Sequence, residues 1–162
     1  MPRAAAPRDP PQVGKADYQA LAELRYALRR FLDFSHRAAR AAGLTPQQHQ
    51  ALLAIKGYPG REEMTVGELA ERLLLRHHSV VELVDRLQRL GLVRRIADPQ
   101  DRRRVLVRLT GKAERRLEGL SATHLEEIRR LGPSLAALLE RFGQLRPQGA
   151  GRRSAGSRGA PR

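Results

Sequence analysis

Four consecutive polar residues open one of the helices that the sequence predicts. They are Arg76, His77, His78 and Ser79, and each side chain can form hydrogen bonds with a phosphate oxygen or with the edge of a nucleobase. Apolar side chains follow at helical spacing over residues 80–90. This order predicts a helix whose apolar face is held in a core while its polar first turn meets an anionic partner.

A second polar segment lies between two predicted strands, residues 92–96 and 105–109. The connecting loop contains Arg102, Arg103 and Arg104 in a row. Three adjacent guanidinium groups repel one another in water but are stabilised beside phosphates, and arginine suits a narrow, electronegative minor groove. We expect Asp101 to orient a neighbouring arginine through a local ion pair. The alternative is a basic but solvated turn, since charge runs usually lie on solvated faces.

The histidines are the other candidates for chemistry. His78 and Glu82 are four residues apart on one helix face, but a metal site needs at least a third ligand. His36, His49 and His124 remain candidates that the fold could bring together. Because His124 falls on the apolar face of its helix, we predict a core histidine with satisfied hydrogen bonds, with a place in a ligand pocket as the alternative.

The sequence argues against an enzyme. There is no cysteine, no glycine-rich phosphate loop and no pair of carboxylates with a plausible pocket. Ser79 has no flanking glycines and no evident acid partner, so we interpret it as a ligand for phosphate or base. No cofactor and no metal ion are predicted.

Composition favours a polyanionic partner. The 162 residues carry 31 Lys and Arg against 17 Asp and Glu, a formal net charge of +14, which suits nucleic acid or an anionic membrane surface. No window reaches the 18 or so consecutive apolar residues of a membrane span. The absence of cysteine and the proline-rich, apolar-poor residues 1–14 fit a cytoplasmic protein without a signal peptide.

The elements that must position these residues are mostly helices. A long amphipathic helix is predicted over residues 16–42, and a shorter one follows a Thr-Pro-Gln-Gln capping sequence at residues 45–48. Thr65 and Glu68 form a second capping box that opens the next helix, which breaks at residues 74–76. Thr110 caps another helix.

The remaining boundaries follow from breakers and composition. Gly132 and Pro133 are predicted to break the chain before a final short helix. Residues 1–14 and 147–162 lack an apolar period and are predicted to be disordered. The fold class is therefore mainly α with a small β-hairpin. Residues 15–146 form one domain, with a nucleic-acid-binding part at about 45–110.

Two helices joined by a short turn over residues 65–90, followed by a basic hairpin, form a winged helix-turn-helix pattern. At this point residues 18–146 resemble the MarR family of bacterial transcription regulators. The resemblance is carried by five segments of the sequence: residues 44–48, 65–73, 78–87, 91–95, and 98–103 with 107–110.

The resemblance implies a homodimer in which the first and last helices, about 16–42 and 111–146, intertwine. It implies a palindromic operator with half-sites about one helical turn apart. The implied dimer-interface residues are Leu21, Leu24, Leu28, Leu135, Leu138 and Phe142. The predicted DNA contacts are Thr65, Arg76, His77, His78, Ser79, Val80, Arg86, Arg102, Arg103 and Arg104, with Arg103 in the minor groove.

The function implied is a nucleoid-associated repressor that binds double-stranded DNA. Release by a small, often phenolic, ligand is implied as well, but aromatic residues make up only 4% of the chain, which leaves a regulator without a ligand as the alternative. A non-specific chromosome-associated protein, or a winged-helix protein that binds RNA or another protein, is the second interpretation of the same charge and pattern.

Overall fold

A computed structural model describes residues 13–101 and 103–144. This part of the chain forms five helices and three strands. In order they are α1 (Lys15–Ala41), α2 (Pro46–Lys56), β1 (Glu63–Thr65), α3 (Val66–Leu73), α4 (His77–Arg89), β2 (Val93–Ala97), β3 (Val105–Leu109) and α5 (Gly111–Gln144). The prediction of a mainly helical chain with a small hairpin is confirmed.

The described chain forms two compact units. One contains residues 13–27 and 133–144, and the other contains residues 28–132. The second unit holds the helix-turn-helix, the sheet and most of the buried apolar residues. Its core includes the fully buried side chains Leu52, Ile55, Met64, Leu69, Val80, Val84, Leu87, Leu92 and Val107.

Both predicted capping boxes are present. The Thr45 hydroxyl accepts a hydrogen bond from the Gln48 backbone N–H at 3.2 Å, and the Gln48 side chain accepts one from the Thr45 N–H at 2.9 Å. The same reciprocal pair joins Thr65 and Glu68 at the start of α3. Each pair satisfies two N–H groups that the first helical turn leaves without partners, so these helix starts are determined locally.

The three strands form an antiparallel sheet in the order β1-β3-β2. The predicted hairpin pairs Arg94 with Arg108 and Ile96 with Leu106. Strand β1 was not predicted, because three residues are too short to show an alternating pattern. Strand β1 pairs with β3, and Met64 lies opposite Val107.

The predicted break at residues 132–133 was wrong. Helix α5 runs from Gly111 to Gln144 with Pro133 inside it. A proline in a helix interior removes one backbone hydrogen bond and costs about 3 kcal/mol. The apolar period nevertheless continues beyond it, and Leu138 is 7% exposed, so burial of this helical stripe favours continuation of the helix.

The predicted disordered tails fall almost wholly on residues 1–12 and 145–162, outside the described residues. Within the described part of the chain, no helix is both long enough and apolar enough to cross a membrane.

Candidate nucleic-acid interface

Helix α4 presents a polar first turn and buries its apolar side, as the sequence predicted. Arg76, His77 and His78 are exposed and Ser79 is half-buried. The helix N-cap, Arg76, makes no side-chain capping hydrogen bond, so the first N–H groups of α4 are not capped by that side chain.

One predicted contact on this helix needs correction. The Val80 side chain has no exposed surface and belongs to the core cluster. Val80 lies on the same face of α4 as Leu83, Val84 and Leu87, which are all buried. Because a fully buried side chain cannot touch a separate molecule, Val80 positions the helix and is not itself a DNA contact.

Strands β2 and β3 and the loop between them, which together we call the wing, end in a tip that is shaped by two aspartates. Asp98 is 4% exposed and accepts a hydrogen bond from the Gln100 N–H at 2.9 Å. Its own N–H donates to the Arg104 carbonyl at 3.0 Å, which closes the hairpin. The Arg104 guanidinium lies 3.8 Å from the Asp98 carboxylate.

Asp101 shapes the wing through the backbone. Its carboxylate accepts from the Arg103 N–H at 3.0 Å, and its carbonyl accepts from the Arg104 N–H at 2.9 Å. Asp98 makes an ion pair with Arg104, and the ion pair expected at Asp101 stays a prediction. The side chain of Arg103 is left exposed at the tip, and Arg102 lies outside the described residues.

An ion pair joins the wing to α4. The Arg95 guanidinium on β2 donates to the Asp85 carboxylate at 2.6 Å and to the Gln88 side-chain oxygen at 2.5 Å. The sequence did not single out this pair, because nothing local in a sequence links a residue on a helix with one on a following strand. The contact fixes the first wing strand against the helix.

A second polar cluster lies at the start of α3. The Glu68 carboxylate accepts hydrogen bonds from the Thr65 N–H at 2.8 Å, from the Thr65 hydroxyl at 3.0 Å and from the Tyr58 hydroxyl at 3.2 Å, and it also pairs with Arg61. Burial alone would raise the pKa of Glu68, but the Thr65 hydrogen bonds and the Arg61 charge together hold it below its ordinary value.

This cluster uses the Thr65 hydroxyl within the capping box, and Thr65 as a DNA contact stays a prediction. Glu68 pairs with Arg61, and the Arg72 guanidinium lies over the Tyr58 ring, 5.5 Å from its centroid.

Comparisons with known proteins agree with this geometry. A family model described as MarR family matches residues 42–104, a stretch that runs from the start of α2 to the wing. A probable transcriptional regulator from Pseudomonas aeruginosa, of known structure, is 32% identical, with 74% of this chain and 92% of that chain covered and a TM-score of 0.53. The chain belongs to the MarR family.

Two further matches show how much of the chain is similar to known proteins. An uncharacterized HTH-type transcriptional regulator, YcgE of Bacillus subtilis, is 43% identical over 75 residues, which are 46% of each protein. The matched segments span less than half of the curated relatives. A point mutant of Staphylococcus aureus MepR, solved bound to an oligodeoxyribonucleotide, has the same fold, with 20% identity, a TM-score of 0.60 and coverage of 80% of this chain and 98% of that one.

The chain thus has the winged-helix fold of a family of transcriptional regulators. Some of the dimer-interface residues that the family resemblance implied have surface to offer a second copy. Leu21 and Leu28 are 48% and 50% exposed, and Leu24, Leu135 and Phe142 are partly exposed. Leu138 is buried in the single chain, with only 7% of its surface exposed. It has little surface left for a partner, so we leave it out of the proposed interface.

Two of the three histidines named as potential ligands come together. The rings of His49 and His124 lie 4.8 Å apart between centroids. His124 is the core histidine that the sequence predicted: Nδ1 lies 2.7 Å from the Leu120 carbonyl, which can only accept, so in the neutral ring Nε2 accepts from the Ser35 hydroxyl at 2.8 Å. Among the described residues, no group of three His, Asp or Glu side chains could hold a metal ion.

Burial lowers the pKa of His49, and the neighbouring His124 lowers it further. The reason is that a second positive charge beside His124, away from water, is unfavourable. The neutral form of His49 is therefore favoured where the two rings pack, at a junction of α1, α2 and α5 within the larger unit.

A surface cavity of about 640 Å³ lies beside the sheet. Its charged lining is balanced, since Lys56, Arg94 and Arg108 face Glu62, Glu63 and Glu114. Lys56 donates to Glu62 at 2.8 Å and to Glu114 at 3.0 Å, and these hydrogen bonds raise its pKa. An aromatic effector would find no ring in this lining, so the phenolic ligand implied by the resemblance stays a prediction.

Proposed function

We propose that the chain is a homodimeric repressor that binds a palindromic operator, with α4 in the major groove and the wing in the adjacent minor groove. The observation that carries the proposal is the fixed pairing of two exposed basic features. The polar first turn of α4 and the arginine tip of the wing belong to elements that the Arg95–Asp85 ion pair holds together.

The first turn of α4 supplies the base-reading groups. Arg76, His77 and His78 are exposed beside a helix N-terminus, and an arginine or a neutral imidazole can bond the acceptor and donor edges that differ between base pairs in the major groove. Ser79 adds a hydroxyl that can bond either a base or a phosphate. Arg86 is exposed two turns farther along and supplies a phosphate contact.

The wing supplies the minor-groove contact. Arg103 and Arg104 are exposed at its tip, and Arg102 is included on the strength of the sequence. The backbone of the loop is already held by Asp98 and Asp101, so inserting an arginine requires ordering of its side chain rather than of the loop. Arginine in a narrow minor groove reads the electronegative potential of A·T-rich DNA.

Exposed apolar residues support a dimer. Leu21, Leu28, Tyr18 and Leu32 on α1, and Leu139 on α5, are each 45–62% exposed. Side chains of this size gain about 25 cal/mol for each Å² removed from water, which favours covering them with a second copy. A two-fold dimer presents two copies of α4, and two copies bind an inverted repeat.

The oligonucleotide in the MepR structure supports duplex DNA as the partner, because the two proteins share the fold. A protein with this partner acts on the chromosome, so we propose that it is nucleoid-associated.

Selection from random duplex DNA at physiological salt tests the proposal. We expect an enriched inverted repeat whose half-sites lie about 10 base pairs apart, and repression when that repeat is placed in a reporter promoter. A matched RNA duplex should compete weakly, because the major groove of A-form RNA is too deep and narrow for a helix. Tight binding without an enriched pattern would contradict the proposal and favour a non-specific chromosome-associated protein.

A further inference from the structure

The turn between α3 and α4 contains a strained leucine. Leu74 has φ 54° and ψ 41°, the left-handed conformation, and within residues 13–101 and 103–144 it is the only non-glycine residue with positive φ. The turn requires this conformation. The Leu74 N–H donates to the Glu71 carbonyl at 3.2 Å and the Leu75 N–H to the Ala70 carbonyl at 3.0 Å, which is the hydrogen-bond pattern of a Schellman helix end.

The same turn occurs at two other helix ends in this chain, and both use glycine. Gly43 after α1 has φ 71° and Gly91 after α4 has φ 67°. Their N–H groups donate to carbonyls three residues back, at 2.9 Å in both turns, and the N–H of the following leucine donates five residues back, at 3.0 and 2.9 Å. Three identical turns thus contain two glycines and Leu74.

The Leu74 side chain is apolar and yet almost fully exposed to water. It is 91% exposed, the highest value among the exposed large apolar residues of the described chain. The left-handed conformation is unfavourable for a residue with a Cβ, and the apolar side chain gains almost nothing from burial. Neither the turn geometry nor packing within the described chain accounts for a leucine here, and strained residues of this kind concentrate at functional sites.

The position of Leu74 indicates its partner. It precedes Arg76 by two residues and His77, the first residue of α4, by three. Arg72 and Arg76 on either side are exposed and positively charged, so the surroundings favour a polyanion over the apolar surface of another protein. The turn is continuous with the proposed DNA interface.

We propose that Leu74 is a specificity-determining residue that packs against the 5-methyl group of a thymine at one position of each half-site. This inference rests on the proposed function and deepens it. The thymine methyl is the apolar feature of the major groove, and apolar side chains distinguish thymine through it. Leucine is retained at a glycine position because it supplies this contact.

Replacement of thymine by deoxyuridine, which removes the methyl group alone, tests the contact. Each thymine of one half-site of the selected operator is replaced in turn, and binding of the full-length protein is measured by fluorescence anisotropy. We expect one position at which the substitution weakens binding about fourfold, the factor that corresponds to about 0.8 kcal/mol for one buried methyl-sized group. Leu74→Gly should bind the two duplexes equally.

Two further variants separate the contact from the turn geometry. Leu74→Asn keeps a Cβ and tolerates the left-handed conformation, so it should fold normally and lose the preference for thymine over deoxyuridine. Leu74→Met keeps an apolar side chain and should retain the preference. The melting temperature of Leu74→Gly should rise by about 1–4 °C, because glycine removes the strain.

Three results would overturn the inference. One is an unmodified protein that is insensitive to deoxyuridine at every thymine of a recovered operator. Another is a loss of binding in Leu74→Gly by the same factor for the thymine and deoxyuridine duplexes, so that the preference for thymine remains, or a fall in its melting temperature. Either result assigns Leu74 a structural role. The third is a Leu74→Gly protein that binds DNA as before but no longer represses the reporter, which points to a protein partner. A selection that recovers no operator contradicts the proposed function itself.

Discussion

The carboxylate of Asp85 and the guanidinium of Arg95 lie 2.6 Å apart and connect the recognition helix α4 to the first strand of the wing. Asp85 is on the exposed side of α4, and Arg95 also reaches Gln88 one turn farther along. Neighbouring grooves of duplex DNA lie at a fixed distance from each other. A helix in one groove and a loop in the next must therefore keep a fixed separation as well. We propose that the Asp85–Arg95 contact sets the separation between α4 and the wing.

Breaking this contact should therefore affect DNA binding more than folding. The side chains of Arg95 and Asp85 are 31% and 51% exposed, and ion pairs at partly exposed positions contribute about 0–1 kcal/mol to stability. We expect Arg95→Gln to shift the melting temperature by only about 2–4 °C while weakening operator binding about tenfold or more. Thermal denaturation and anisotropy titration measure the two effects.

Charge reversal provides the control for this contact. Asp85→Arg combined with Arg95→Asp should recover part of the operator affinity that each single change removes, because the pair is restored in the opposite direction. If the double variant binds no better than the weaker single variant, the pair does not set the position of the wing.

Arg103→Ala should weaken all DNA binding and flatten its salt dependence. Each phosphate contact that is lost reduces the slope of log affinity against log salt by about 0.9. Titrations at several salt concentrations give the slope. Arg115→Ala removes the same charge from an exposed position on α5 and should leave the slope unchanged; an unchanged slope in Arg103→Ala would show that the assignment to the wing is wrong.

Substitution in the first turn of α4 should change sequence preference instead. Ser79→Ala or His78→Ala removes a hydrogen bond that is worth about 1–3 kcal/mol of discrimination between bases. Repeating the selection with each variant should relax one or two neighbouring positions in each half-site while the affinity for random duplex stays the same. Equal weakening on all sequences would instead assign these residues to phosphate.

The buried histidine pair should make stability depend on pH. The pKa of His49 is lowered in the folded chain by burial and by His124, so the unfolded chain binds more protons than the folded chain at mildly acidic pH. The free energy of unfolding should therefore be at its full value above the ordinary histidine pKa of about 6.5 and fall as the pH decreases below it.

Denaturant unfolding at several values between about pH 5 and pH 8 measures this dependence. This range spans the ordinary histidine pKa. The variant His49→Gln removes the titrating group, and its stability should vary less with pH over this range. His36→Gln is the matched control, since His36 is not in the ring contact with His124. A pH dependence that is identical in the original protein and in His49→Gln would contradict the assignment.

Local signals made much of this protein predictable from its sequence. The Thr45–Gln48 and Thr65–Glu68 capping boxes involve residues three apart, and a side chain that bonds the backbone of its own helical turn does so without help from the rest of the fold. The polar first turn of α4 and the basic hairpin were also recognisable, because their residue types and periods are contiguous in the sequence.

Only the tertiary structure decided which of these residues are available to a partner and which fix the others in place. Arg95 meets Asp85 ten residues away and Arg108 meets Glu63 forty-five residues away, and no sequence period reports such pairs. Val80 follows the polar turn directly but is turned into the core, and Pro133 lies within a continuous helix. Burial depends on what packs from distant parts of the chain, so it can override a local signal, whereas a capping box depends on neighbours alone.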